Sequence, residues 1–410
     1  MKINLGLYMN AKRGYTGSGA LNGFAVRNIE QLLRLLGSSA TTSNLNVDVV
    51  LARDSAEHRR PTQDRMSTTS ETHWMGAHKL TLSGNSGAVV SATLGHQVTG
   101  DRAQLLRPKA LEHFITDLRE RDLNAPNVVV LWGHADGPRG FLFSQFPRVD
   151  GSRGRDILSP AEVDQALANS GKAQAPLKIV CADSCQAACL EFASVLVPHA
   201  EYFVASQTSV PGTGWNYESW PAILSAATGA NWDGTVSAIV SDFAASNPMR
   251  TTISAMRLSA IDAVLNKLKS VTDKFLADPS ARNLLLQARK EIKTHDQNLR
   301  GLVDFVMLFD GAARHLQPAD LATECHDLAR LMEAATIATH VSADLDAKYK
   351  MHGCSIFFPT AESAFGEPWD EITRKIYFED DKQLARFKQT GWHKLLALIV
   401  PKNIARPMIL

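Results

Sequence analysis

Two residues stand where a thiol-dependent hydrolysis needs them, Cys185 and His134. A thiolate attacks a carbonyl carbon, while a nearby imidazole takes the thiol proton and later hands it to the leaving amine. Each follows an apolar run. Val128-Val129-Val130-Leu131-Trp132-Gly133 leads to His134, and Leu177-Lys178-Ile179-Val180-Cys181 leads to Asp183-Ser184-Cys185. In open α/β sheets, sites form beyond the carboxyl ends of the strands, so two neighbouring strands would set the two groups side by side. Cys185 is expected to open a helix running to Leu196, whose positive end favours thiolate. Asp183 then reads as that helix's N-cap. On the residues alone, two packing side chains explain the pair as well as a catalytic dyad does.

Other chemistries find no support. Cys181, Cys185 and Cys189 have CxxxCxxxC spacing, which is not that of radical iron–sulfur enzymes, and Cys181 and Cys189 read as packing residues. The sequence has no HExxH zinc pair, no GxSxG elbow and no P-loop. A nucleotide-binding α/β protein is disfavoured because no Gly-rich phosphate loop follows a strand.

The elements that must position Cys185 and His134 alternate. Strands are expected at 3–9, 46–52, 79–82, 88–93, 127–132, 177–181 and 201–205, with a hairpin turn at Gly84-Asn85-Ser86-Gly87. Helices are expected at 25–36, 108–122 and 159–167, the last opening on Ser, Pro and Glu. The continuous apolar run Val128 to Leu131 suits a strand covered on both faces, as in a parallel sheet. The first 245 residues therefore read as an α/β sheet with helices on both faces. From Met249 to about Lys348 the pattern is helical, with Ile253, Met256, Ile261, Val264, Leu265 and Leu268 at helical spacing and no convincing strand. Strand character returns at Cys354 to Pro359, and a last helix is expected from Trp392 to Ile399. The division is a core at 1–245, a helical region at 246–348, and a closing strand and helix at 349–410.

The 410 residues are 45% hydrophobic and 21% charged, the balance of a globular protein. A formal net charge of +1 excludes a broadly basic nucleic-acid or anionic-membrane binder. No stretch approaches the roughly 18 apolar residues of a membrane span. The N-terminus lacks the continuous apolar stretch of a signal peptide, and five cysteines form no disulfide framework. The expected location is the cytosol.

Several segments resemble the clostripain-like (C11-type) cysteine peptidases, in the expected order and over nearly the whole chain. Leu131-Trp132-Gly133-His134 resembles the family's histidine motif, and Asp183-Ser184-Cys185-Gln186-Ala187-Ala188-Cys189-Leu190-Glu191 its nucleophile motif. Val204-Ala205-Ser206 through Pro211-Gly212-Thr213-Gly214-Trp215, then Gly353-Cys354-Ser355-Ile356-Phe357-Phe358-Pro359 and Thr390-Gly391-Trp392, are similar to later family segments. The resemblance implies a caspase-like αβα sandwich with a mostly parallel central sheet. It assigns nucleophile to Cys185, general acid/base to His134, and the oxyanion hole to the N–H groups of Ala135 and Cys185. It places Asp183, with Ser206, in the S1 pocket, where a carboxylate selects Arg or Lys. It implies a protein or peptide substrate and no cofactor for the chemistry; some relatives depend on calcium, but no EF-hand-type loop is visible.

Two positions depart from the family. Ala135 replaces the usual Gly after the histidine, and Gln207 and Thr208 stand where acidic residues are common. Arg139, Arg148, Arg153 and Arg155 lie in what reads as a solvated loop between His134 and Cys185. Self-cleavage after Arg148, Arg153 or Arg155 is the expected activation step of a zymogen. A regulated intracellular role on one partner protein follows from the expected location. The alternative is a catalytically weak caspase-like interaction module.

Overall fold

The computed structural model describes residues 2–12, 21–36, 44–53, 76–82, 92–97, 105–147, 153–171, 175–227, 231–293, 301–316, 319–359 and 369–399. The expected turn at 84–87 and the residue Arg148 lie outside the described residues. Thirteen strands are described: β1 (Ile3–Asn10), β2 (Leu45–Arg53), β3 (Gly76–Leu82), β4 (Ala92–Gln97), β5 (Asn127–Gly133), β6 (Phe141–Pro147), β7 (Arg153–Leu158), β8 (Leu177–Asp183), β9 (Ala200–Ala205), β10 (Thr252–Arg257), β11 (Leu302–Asp304), β12 (Thr336–Val341) and β13 (Ser355–Phe357).

Nine of them form one sheet in the order β12-β10-β9-β8-β5-β1-β2-β3-β4. Its five middle strands, β9, β8, β5, β1 and β2, run parallel, and an antiparallel pair extends each edge. Every residue of β1 and β5 is buried. Because side chains alternate along a strand, those apolar runs feed two separate cores. Tyr8, Val129, Leu131, Val180 and Ala182 enter one core, whereas Leu7, Met9, Val130, Trp132 and Ile179 enter the other.

Helices cover both faces, as the αβα architecture requires. Helix Pro108–Glu120 starts with proline at its first turn and buries Leu111, Phe114, Ile115 and Leu118. It lies so close to β1 that a Cβ at Gly6 would sit 2.7 Å from the Leu118 side chain. Helix Pro160–Asn169 carries the capping box expected from Ser159 and Glu162, with each side chain bonding the other residue's backbone. The opposite face is packed by helices Asn22–Leu36 and Trp232–Ser246.

The segment after Met249 departs from the expectation of helices without strands. β10 and β12 both belong to the large sheet, β10 pairing with β9 and β12 closing that edge. Ile253 and Met256 lie on β10, not on a helix. β10 ends at Arg257 and helix Leu258–Ala277 begins at the next residue, so a strand's apolar residues run without a break into a helix's and mimic one helical pattern. A short antiparallel pair, β11 with β13, lies outside the large sheet. Phe141–Pro147 and Arg153–Leu158 are likewise no solvated loop. They pair antiparallel as β6 and β7.

Candidate active site

β5 and β8 are parallel neighbours whose last paired residues are Trp132 and Asp183. His134 and Cys185 each lie two residues beyond that pair, so the register brings them to the same level at the carboxyl edge of the sheet. Gly133 makes the turn into His134 at φ +147°, and a Cβ there would stand 2.8 Å from the Asn10 carbonyl oxygen. Only glycine fits that backbone. Asn10 Nδ2 also donates to the Leu142 carbonyl at 2.5 Å, tying β6 to the end of β1.

The His134 ring stacks on Phe143, with centroids 5.3 Å apart. Its Nε2 is buried and has no hydrogen-bond partner among the described residues. Burial drives the imidazole pKa down to about 4. At neutral pH the ring is uncharged, the form that accepts a proton. Ala135 forms a bridge with Phe141, in which the Asp136 N–H donates to the Gly140 carbonyl. The Ala135 N–H is not the donor of that bond.

Cys185 does not open a helix. It sits in a turn, half-buried, and the helix begins five residues later at Leu190, with Cys189 as its N-cap. The expected dipole at the thiol is therefore absent from this helix. Asp183 likewise caps nothing there. The turn is held by non-local bonds instead. The Gln186 N–H donates to Thr208 O and the Ala188 N–H to Ser206 O, each at 2.9 Å, and Ser355 N–H donates to Ala188 O. Gln186 takes φ +56°, a conformation non-glycine residues rarely adopt. The Val210 N–H reaches Cys185 Sγ at 3.3 Å.

Asp183, the last residue of β8, is 4% exposed. Its Oδ2 accepts from the Trp215 N–H at 3.0 Å and the Tyr217 hydroxyl at 2.8 Å. Burial raises its pKa to about 7, and the two bonds hold it from rising further. Gly214, at φ +66°, lies against it; a Cβ there would be 2.7 Å from Oδ2. Asn28 completes this floor. Its Oδ1 accepts from Trp132 Nε1 at 3.0 Å, and its Nδ2 reaches the Thr213 carbonyl at 3.1 Å. Sequence reasoning missed Asn28 and Tyr217, for nothing local marks a helix asparagine that contacts a loop 185 residues away.

Ser206 is fully buried, and its hydroxyl bonds Thr208 and Thr252. Gln207 is buried too, and its amide faces Asp304, Ser355 and Gly353. Of the four arginines, Arg139 is 1% exposed and bonded to Thr373 and Asp136. Arg153 and Arg155 lie on β7, paired with Pro147 and Gln145. Glu191, quoted within the nucleophile motif but given no role, is a second buried carboxylate. Its Oε1 accepts from the Phe357 N–H and the Tyr377 hydroxyl, and burial raises its pKa to about 7. None of the five cysteines forms a disulfide. No group of three or more metal-ligating side chains occurs among the described residues, and no helix there is long and apolar enough to cross a membrane.

The clostripain family model matches residues 15–392. Solved C11 proteases share the fold. A secreted C11 cysteine protease from Bacteroides thetaiotaomicron, in complex with an irreversible peptide inhibitor, superposes with a TM-score of 0.62 at 15% identity, covering 95% of this chain and 98% of that one. An inactive zymogen C11 protease from Parabacteroides distasonis does so with a TM-score of 0.63 at 14% identity, covering 97% and 99%. No curated protein matches the chain in sequence.

Proposed function

Because this chain belongs to the clostripain family and is a cysteine peptidase, we propose that it is an endopeptidase using Cys185 as nucleophile and His134 as general acid and base. The observation that carries this is the β5–β8 register, with both side chains two residues past the pair Trp132 and Asp183. Cys185 Sγ attacks the scissile carbonyl as its proton passes to neutral His134. The N–H groups of Ala135 and Cys185 stabilise the oxyanion. The imidazolium then protonates the leaving amine, and water hydrolyses the thioester.

The P1 side chain of the substrate is Arg or Lys. What supports this is the Asp183 carboxylate beside Gly214, where the missing Cβ leaves room and both intramolecular bonds fall on Oδ2. A basic P1 group would pull the carboxyl pKa down and hold it ionised. Ser206 supports the pocket through its backbone and its hydroxyl network. The enzyme is made as a zymogen and cuts itself after Arg148, Arg153 or Arg155. The solved relative that is an inactive zymogen supports this reading. Arg153 and Arg155 must leave the β6–β7 ladder before either bond can be cleaved. Five cysteines without a disulfide support action on a partner protein inside the cell.

The test uses purified protein and its Cys185→Ala variant with fluorogenic peptides carrying Arg, Lys, Asp or Leu at P1, with and without calcium. Turnover of Arg and Lys peptides alone, lost in the variant, is the expected result. Turnover only after Asp or Leu overturns the pocket assignment. No turnover under any condition points to a zymogen awaiting an activator or to a non-catalytic module. N-terminal sequencing of fragments absent from the variant reads the self-cleavage site.

A further inference from the structure

Gln207 occupies a position with more connections than its sequence suggests. Its Nε2 donates to Asp304 Oδ2 at 3.0 Å and to the Ser355 hydroxyl at 3.1 Å. Its Oε1 accepts the Gly353 N–H at 2.6 Å, and its own N–H donates to the Thr252 hydroxyl at 3.0 Å. It is 4% exposed. One side chain thus joins the segment after β9 to the end of β11 and to the residues entering β13.

Two of these three segments, the one after β9 and the residues entering β13, also hold the Cys185 turn. Ser206 and Thr208, on either side of Gln207, accept the Ala188 and Gln186 N–H groups, and Val210 reaches the sulfur itself. From the other side, Ser355 donates its N–H to Ala188 and bridges Cys189. The strained Gln186 conformation is therefore clamped between two segments that meet at the Gln207 amide. Asp304 anchors the far end. Its carboxylate also accepts the Met307 and His352 N–H groups and His352 Nδ1.

We propose that Gln207 is a positioning residue for the nucleophile, and that its neutral amide is required because it must donate to the buried Asp304 carboxylate while accepting from Gly353. The proposal rests on Cys185 being the nucleophile. It accounts for a carboxamide at this place, because the side chain faces another carboxylate, Asp304.

Gln207→Glu tests this through its pH profile. The introduced carboxyl keeps a donor toward Asp304 while it is protonated, whereas once ionised it sets two carboxylates against each other. The titratable groups around the pair are Asp304 itself and His352, whose pKa its bond to Asp304 raises. The charges of Asp310 and Glu333 also act on His352, and that of Glu191 acts on Cys354. These are common to both proteins, so the variant-to-wild-type ratio isolates the added carboxyl.

The expected result is a kcat ratio that falls at least tenfold between pH 6 and pH 8.5 while KM changes less than twofold. The ratio of Cys185 alkylation rates by iodoacetamide should fall in parallel. A kcat ratio flat across that range overturns the proposal. If wild type turns over no peptide, the alkylation ratio alone decides: a decline over that pH range supports the proposal and a flat ratio overturns it. Should Gln207→Glu not fold, Gln207→Ala replaces it, with an expected tenfold loss of kcat at unchanged KM; full kcat overturns the proposal.

Discussion

Replacing Glu191 by glutamine should change stability in a strongly pH-dependent way. The carboxyl is fully buried, its Oε1 accepts two hydrogen bonds, and its Oε2 is buried with no partner among the described residues. Desolvation lifts its pKa from 4.5 to about 7. At about 1.4 kcal/mol for each tenfold in proton affinity, that rise corresponds to about 3 kcal/mol. The sign follows from which state binds the proton more tightly. The native protein does, so this group's contribution to stability falls as pH rises from the unfolded pKa of 4.5 through the folded value near 7, then stays constant. Glutamine keeps the acceptor for Phe357 and Tyr377 and never ionises. Its amide lacks a partner at the Oε2 position, a penalty of about 1–3 kcal/mol that does not vary with pH. The difference in stability between Glu191→Gln and its parent should therefore shift in the variant's favour by about 2 kcal/mol between pH 5 and pH 8. Urea denaturation in a Cys185→Ala background, which prevents self-digestion, measures it at both pH values. A difference that is the same at pH 5 and pH 8 would refute the reasoning, because a solvated Glu191 would titrate alike in folded and unfolded chains.

Two further predictions concern the site walls. Gly133→Ala forces a Cβ against the Asn10 carbonyl at φ +147° and should cost about 3 kcal/mol, with kcat falling because His134 follows directly; a stability within about 0.5 kcal/mol of the parent, the size of an ordinary surface change, counts against it. Tyr217→Phe removes a donor that lowers the Asp183 pKa. The carboxyl should then ionise at higher pH, and the acid limb of kcat/KM for Arg peptides should move up by about one pH unit; an unmoved limb would separate Asp183 ionisation from substrate binding.

What could be read from residue order was local. The apolar runs of β1, β5 and β8 announce strands buried on both faces, because alternate side chains must each find a core. Ser159 and Glu162 announce a helix start through a bond that spans three residues. His134 and Cys185 end two such strands, and that pattern, with the motif resemblance, was enough to name a chemistry. Tertiary structure decided the rest. The parallel order of β8, β5 and β1 depends on hydrogen bonds between residues far apart, and β10 hid in the period of the helix it runs into. Cys185 sits in a turn rather than a helix because Thr208, Ser206 and Ser355 hold it there from distant segments. The protonation of Asp183, Glu191 and His134 was equally hidden, since a pKa follows the dielectric and partners of the folded site, and neither is written in the neighbouring residues.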